Sequence, residues 1–286
     1  MTMDEFTAVL KARELVVAVN PTTIPVAVEA YASKVGAVIR VKTDLEQDEP
    51  GWSFEHGGKR FICVNAKDLE ERRRFTVCHE IAHIILCLPS DHKAAPWWSY
   101  AKRSADEILC DVFAAELLLP GRLFKSAAEK EEMCFSTVAN LAARFAASLT
   151  ATGSRFATVI SSPCAFVLSE QGRVRYTSRS TVLREANAWI PPRAGLPRGS
   201  VSERVRAGDV CDGPEEIDAG LWFSDWERGG VLLEEARYLN RWDQTLTLLW
   251  FEDEDVPPPK RGEEEEREVE ELDRILPWPG KSRRKK

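Results

Sequence analysis

From residue 70 onward, apolar side chains recur at three-and-four spacing: Phe75, Cys78, Ala82, Ile85 and Leu86. That period puts them on one stripe of a helix. Pro89 cannot continue a helix interior, so the pattern predicts a helix over residues 70–88. A second stripe, Leu109, Val112, Phe113 and Leu117, predicts another over residues 106–119, closed by Pro120. Upstream, residues 22–34 read as a helix and the β-branched run at residues 37–41 as a short strand. Residues 51–58, with glycine at both ends, read as a turn-rich tip. Residues 59–65 read as a second strand that leads into the first helix.

Beyond Pro120, residues 135–145 and 148–156 predict two helices around a short turn, with Val138, Leu141, Ala142, Phe145 and Leu149 as their shared core. The pair has a helix-turn-helix look, but its second helix offers a single basic residue, Arg155, beside Thr150, Thr152 and Ser154, which argues against DNA reading. From residue 159 the period shortens. Residues 165–168 and 173–176 predict a hairpin, residues 191–197 a Pro/Gly-rich loop, and residues 220–223 and 245–250 further strands. The tail from Asp255 combines the proline run of residues 257–259, the acidic run of residues 263–266 and a basic end, and reads as disordered. The expected architecture is α+β. Residues 1–132 would form the first domain, residues 133–158 a helical hairpin packed on it, residues 159–254 a smaller α+β domain and residues 255–286 the tail.

Composition narrows the class. The 286 residues carry a formal charge of −7, which disfavours a generally nucleic-acid-binding surface. Seven cysteines lie scattered, without a Cys-x-x-Cys pair. No leader pattern and no long apolar run appears, so a reduced cytoplasmic protein is expected.

The first predicted helix also carries His79-Glu80-Ile81-Ala82-His83. Residues four apart share a helix face, so the two imidazoles can converge on one metal ion. Glu80, beside them, reaches a water on that ion better than the ion itself, which suits a general base. A catalytic zinc usually takes a third protein ligand. Glu107, on the second helix, is the preferred candidate; Glu116, His92 and Cys110 are the competitors. Asp111, one turn beyond Glu107, can accept the free ring N–H of His79 or His83 and fix its tautomer. Arg72, Arg73 and Arg74 precede the motif and fit a solvated face or a neighbouring carboxylate. Trp97, Trp98 and Tyr100 lie between the two helices and fit either packing under a loop or substrate gripping.

With both helices read, the chain resembles the ImmA/IrrE family of bacterial metallo-endopeptidases. The resemblance rests on residues 25–32, on residues 72–83 with the two motif histidines, and on residues 107–120 with the Glu-x-x-x-Asp pair. It implies a zincin-like fold with a small sheet beside the motif helix, whose edge strand, one of the two predicted here, would bind the substrate backbone. It further implies His79, His83 and Glu107 as zinc ligands, Glu80 as catalytic base and Asp111 as the acid behind a ligand. Manganese or iron can occupy the same donors. The implied substrate is a helix-turn-helix repressor, cut to relieve repression in a stress or mobile-element response. The alternative is a metal-stabilised module, or a DNA-binding regulator, that acts without proteolysis. The resemblance also leaves room for a sensory role of residues 159–254.

Overall fold

The computed structural model describes residues 4–46, 49–89 and 104–252. His92, Trp97, Trp98, Tyr100 and the tail from Asp255 lie outside the described residues. Two helices come first: α1 (Glu5–Val19), capped by the Asp4 carboxylate on the Thr7 amide, and α2 (Val28–Lys34). The start of α2 corrects the expectation of a helix from residue 22. Pro25 disfavours helical backbone at Ile24 before it, so the helix forms only after the proline.

Three strands follow in the order β1-β3-β2. β1 (Ala37–Lys42) runs parallel to the central β3 (Lys59–Asn65), and β2 (Gly51–His56) runs antiparallel to it on the other side. The stretch expected to be a turn-rich tip is therefore mostly a strand. Only Gly57 and Gly58, both at positive φ, form the turn, and the two-residue loop pairs His56 with Lys59. Because β3 is central, it has no free edge; among the described residues the edges of the sheet are β1 and β2.

The motif helix α3 (Glu70–Leu86) lies against this sheet and ends at Cys87 in a left-handed conformation. Its arginines are engaged locally: Arg72 pairs with Asp68 at 3.1 Å, while Arg73 and Arg74 donate to the Ala66 and Val26 carbonyls. Helix α4 (Ala105–Leu118) packs on α3 through Leu109, Phe113 and Leu117, and α1 packs on α4. Ser104 caps α4 by accepting the Glu107 amide.

Three more helices, α5 (Gly121–Ala128), α6 (Phe135–Phe145) and α7 (Leu149–Val159), lead to a five-stranded antiparallel sheet. Its strands are β4 (Cys164–Glu170), β5 (Arg173–Arg179), β6 (Glu215–Asp218), β7 (Val231–Leu239) and β8 (Gln244–Trp250), in the order β5-β4-β8-β7-β6. Short helices α8 (Thr181–Glu185) and α9 (Val201–Ala207) separate β5 from β6. Residues 220–223 are not a strand: Ala219–Leu221 form a 3-10 turn capped by Asp218. Asp218 and glycine favour that cap over extended pairing.

β4 and β8 are buried along their whole length, as central strands covered on both faces must be. On one face Phe166, Leu168, Leu246, Leu248 and Trp250 join the same apolar core as α1, α3, α4, α6 and α7. On the other, Ala165, Val167 and Leu249 meet Ile190, Trp222 and Phe223. Helix α7 touches β4 so closely at Gly153 that a Cβ there would lie 2.7 Å from Cζ of Phe166. Three polar residues of α7 are also engaged within the fold. Arg155 donates to the Leu119 carbonyl and pairs with Glu116, Thr152 is fully buried, and Ser154 bonds the Tyr176 hydroxyl. Among the described residues, no helix is long and apolar enough to cross a membrane.

Candidate metal centre

The i, i+4 spacing on α3 sets His79 Nε2 and His83 Nε2 3.1 Å apart, both directed toward α4. From α4, Glu107 presents Oε2 to His79 Nε2 at 3.1 Å and Oε1 to His83 Nε2 at 3.4 Å. Bonds of about 2.0–2.1 Å to a tetrahedral ion put its donors roughly 3.3 Å from one another, so this spacing fits a zinc-sized cation.

The outer ring nitrogens are held by other partners. His79 Nδ1 lies 3.0 Å from Asp111 Oδ1, and His83 Nδ1 lies 3.3 Å from the Leu88 carbonyl. An acceptor at each Nδ1 keeps the proton there and turns the Nε2 lone pair inward. Three electron-rich atoms thus face one another in a half-closed space, an arrangement that requires a cation among them. In the metal-free chain that cation is a proton. Burial alone would push the His79 pKa down, but its hydrogen bonds to Asp111 and Glu107 outweigh burial and raise it from 6.5 to about 9. Burial opposes ionisation of Glu107 too, yet hydrogen bonding and charge interaction with the His79–His83 pair hold its carboxyl well below the usual carboxylate range.

The competing donors sit elsewhere. Glu116 is buried and paired with Arg155 at 2.8 Å and Arg13 at 3.5 Å. Cys110 is fully buried in the core, where desolvation and the charges of Glu107 and Asp111 push its thiol up, away from the thiolate a metal needs.

Glu80 is 3% exposed, and its ligand-capable oxygen lies within 4.8 Å of those of the two histidines. Glu107 is nearer to both, so Glu107 suits a ligand and Glu80 a neighbour of the ligand sphere. Glu80 Oε2 accepts a 2.6 Å hydrogen bond from the Ser53 hydroxyl on β2. Sequence reasoning missed this contact because residues 51–58 looked like a tip. The two-residue glycine turn after alternating Trp52, Ser53, Phe54 and Glu55 was the signal that could have revealed it.

A groove of about 300 Å³ opens from the centre between β2 and the end of α3, lined by Ser53, Phe54, Glu55, Arg60, His83, Ile84 and Leu88. Its strand side comes mainly from β2, through Ser53, Phe54 and Glu55, with Arg60 contributed by β3.

Residues 32–156 match the IrrE N-terminal-like domain of the M78 peptidases. No curated protein matches the chain. Among solved structures, a Mycobacterium tuberculosis transcriptional regulator is similar in fold, with a TM-score of 0.53 at 15% identity over 85% of this chain and 75% of that one. The matched segment, which holds both motif histidines and the Glu107/Asp111 pair, is similar to the IrrE N-terminal-like domain of the M78 peptidases and spans less than half of the chain.

Proposed function

We propose that the protein is a zinc-dependent endopeptidase that cuts a helix-turn-helix repressor of the XRE type, and so relieves repression in a stress or mobile-element response. The observation that carries this reading is the convergence of His79 Nε2, His83 Nε2 and the Glu107 carboxylate, with a buried, separately held Glu80 beside them. His79, His83 and Glu107 would hold the metal, and manganese or iron suits the same donors. The metal, when bound, supplies Lewis acidity and a water that ionises near neutral pH.

The protein's own groups account for the rest. Asp111 and the Leu88 carbonyl keep both imidazoles in the ligating tautomer. Glu80 takes a proton from the attacking water and returns it to the leaving amine. Edge strand β2, along the groove, offers backbone groups to an extended substrate segment. Direct DNA binding is not part of the reading, since Arg155 of α7 is turned into the protein.

The test mixes the zinc-loaded chain with helix-turn-helix repressors of the XRE type from the same genome, starting with any encoded beside its own gene, with and without a chelator. Intact-mass spectrometry should find one cut, abolished by the chelator. Repressors all left whole by the zinc-loaded chain, or cut equally well in chelator, would overturn the proposal.

A further inference from the structure

Glu80 is a buried carboxylate at 3% exposure, and a buried carboxylate needs a donor. Among the described residues, its hydrogen-bond donor is Ser53, at 2.6 Å, a short O–H···O bond. The two residues are 27 apart in sequence and meet because of how β2 is built. Alternation along the strand turns Gly51, Ser53 and Glu55 toward one face and Trp52, Phe54 and His56 toward the other. Ser53 lies opposite Ile62, a fully buried residue in the core shared with α3, so its hydroxyl points at the motif helix.

Gly51 sets the depth. Its φ is +154°, and a Cβ there would collide with the Cys63 carbonyl and lie 2.9 Å from Cγ2 of Thr76 on α3. Glycine at this point lets β2 close on β3 and α3 together, two residues before the hydroxyl.

We propose that Ser53 is a positioning residue for Glu80, an inference that rests on the peptidase reading above. The bond to Oε2 locks the outer torsion of a side chain whose carboxylate would otherwise rotate broadly. It leaves Oε1 as the oxygen that takes the proton. Ser53 continues to donate to Oε2 while Oε1 is protonated, so the hydrogen bond survives both halves of the proton transfer. The hydroxyl touches the base, not the metal donors.

The experiment uses the full-length, zinc-loaded chain and the repressor substrate. Ser53→Ala should lower kcat by about 10–100-fold, the cost of a misplaced reacting group, with KM within about twofold by the same argument. Zinc content should equal that of the parent. Ser53→Thr should recover most of the rate. In a Glu80→Gln background, Ser53→Ala should have no further effect, because the two residues act as one unit. A second readout needs no substrate: the Glu80 side-chain 13Cδ resonance, assigned by its loss in Glu80→Gln, should move in Ser53→Ala and hold in Ser53→Thr.

Parent kcat together with an unmoved resonance in Ser53→Ala would overturn the proposal. So would a loss confined to KM or to bound zinc. If the parent itself cuts nothing, the peptidase reading fails, and the resonance alone decides whether Ser53 holds Glu80.

Discussion

Asp111 Oδ1 sits 3.0 Å from His79 Nδ1, on the far side of the ring from the nitrogen that faces Glu107. One residue therefore reaches the centre directly and the other reaches it through an imidazole, from consecutive turns of α4. Replacing Asp111 by Ala should weaken zinc binding by about 10–100-fold. Asp111→Asn, which keeps an acceptor oxygen, should lose less. Competition with a chromogenic chelator measures both. Equal losses would mean that Asp111 acts only through its charge.

Glu80 and Glu107 should separate cleanly on substitution. Glu80→Gln should keep its zinc and lose cleavage by about 100-fold or more, the usual weight of a general base. Glu107→Gln should lose the metal itself, by more than the roughly 100-fold that an outer partner costs. Metal analysis of the dialysed variants decides. Normal zinc in Glu107→Gln would return Glu80 or a residue outside the described ones to consideration as third ligand.

The raised His79 and lowered Glu107 give the metal-free chain a pH signature. A depressed carboxyl contributes stability above its unfolded value, near 4.5 here, and loses it as pH falls. An imidazole raised from 6.5 to about 9 contributes fully below 6.5 and loses its contribution as pH climbs through 9. Melting temperature of the metal-free protein should thus fall between those two upper values. Zinc binding near about pH 7.5 should release roughly one proton, from His79. Calorimetry in buffers of different ionisation enthalpy reads that number directly. Zinc uptake without proton release would contradict the geometry of the three donors.

Helices α3 and α4 were legible because each carries a stripe of the right period and runs up to a proline, and His79, His83, Glu107 and Asp111 came with them; the 15-residue α1 was not read from the sequence. β2 was hidden by its glycines. Gly51 looked like a breaker, whereas its missing side chain is what allows the strand to pack. Ser53 was hidden with it, since a contact 27 residues away in sequence leaves no local mark. The wrong strand at residues 220–223 has the opposite cause. Leu221, Trp222 and Phe223 form an apolar run, but Asp218 caps a tight turn there and the two aromatic rings pack beneath the sheet. No periodicity marked β6 or α9; α9 is held by the buried Glu234 of β7, 32 residues on, which accepts from the Ser202 amide and hydroxyl.

Arg155 offers a stability test away from the centre. It faces Glu116, 4% exposed, at 2.8 Å and also holds the last carbonyl of the α4 turn. Arg155→Ala should cost about 3 kcal/mol by leaving a buried carboxylate short of its main partner. Adding Glu116→Gln should recover much of that loss, and chemical denaturation of the four variants measures the coupling. Independent losses that simply add would show the pair to be uncoupled.

The sheet of β4 and β8 lies after the peptidase-like segment in sequence, yet Phe166, Leu246 and Leu248 complete the core that holds α3 and α4. The half that carries His79, His83 and Glu107 thus shares its core with the sheet beyond the point where the family likeness stops. A chain cut after residue 156 would present the bare flanks of Phe135, Phe156 and Gly153 to water, and is expected to be recovered as aggregate, not as a smaller peptidase. Damage anywhere in the second sheet would then be felt first as a shortage of folded protein, before any ligand or signal is considered.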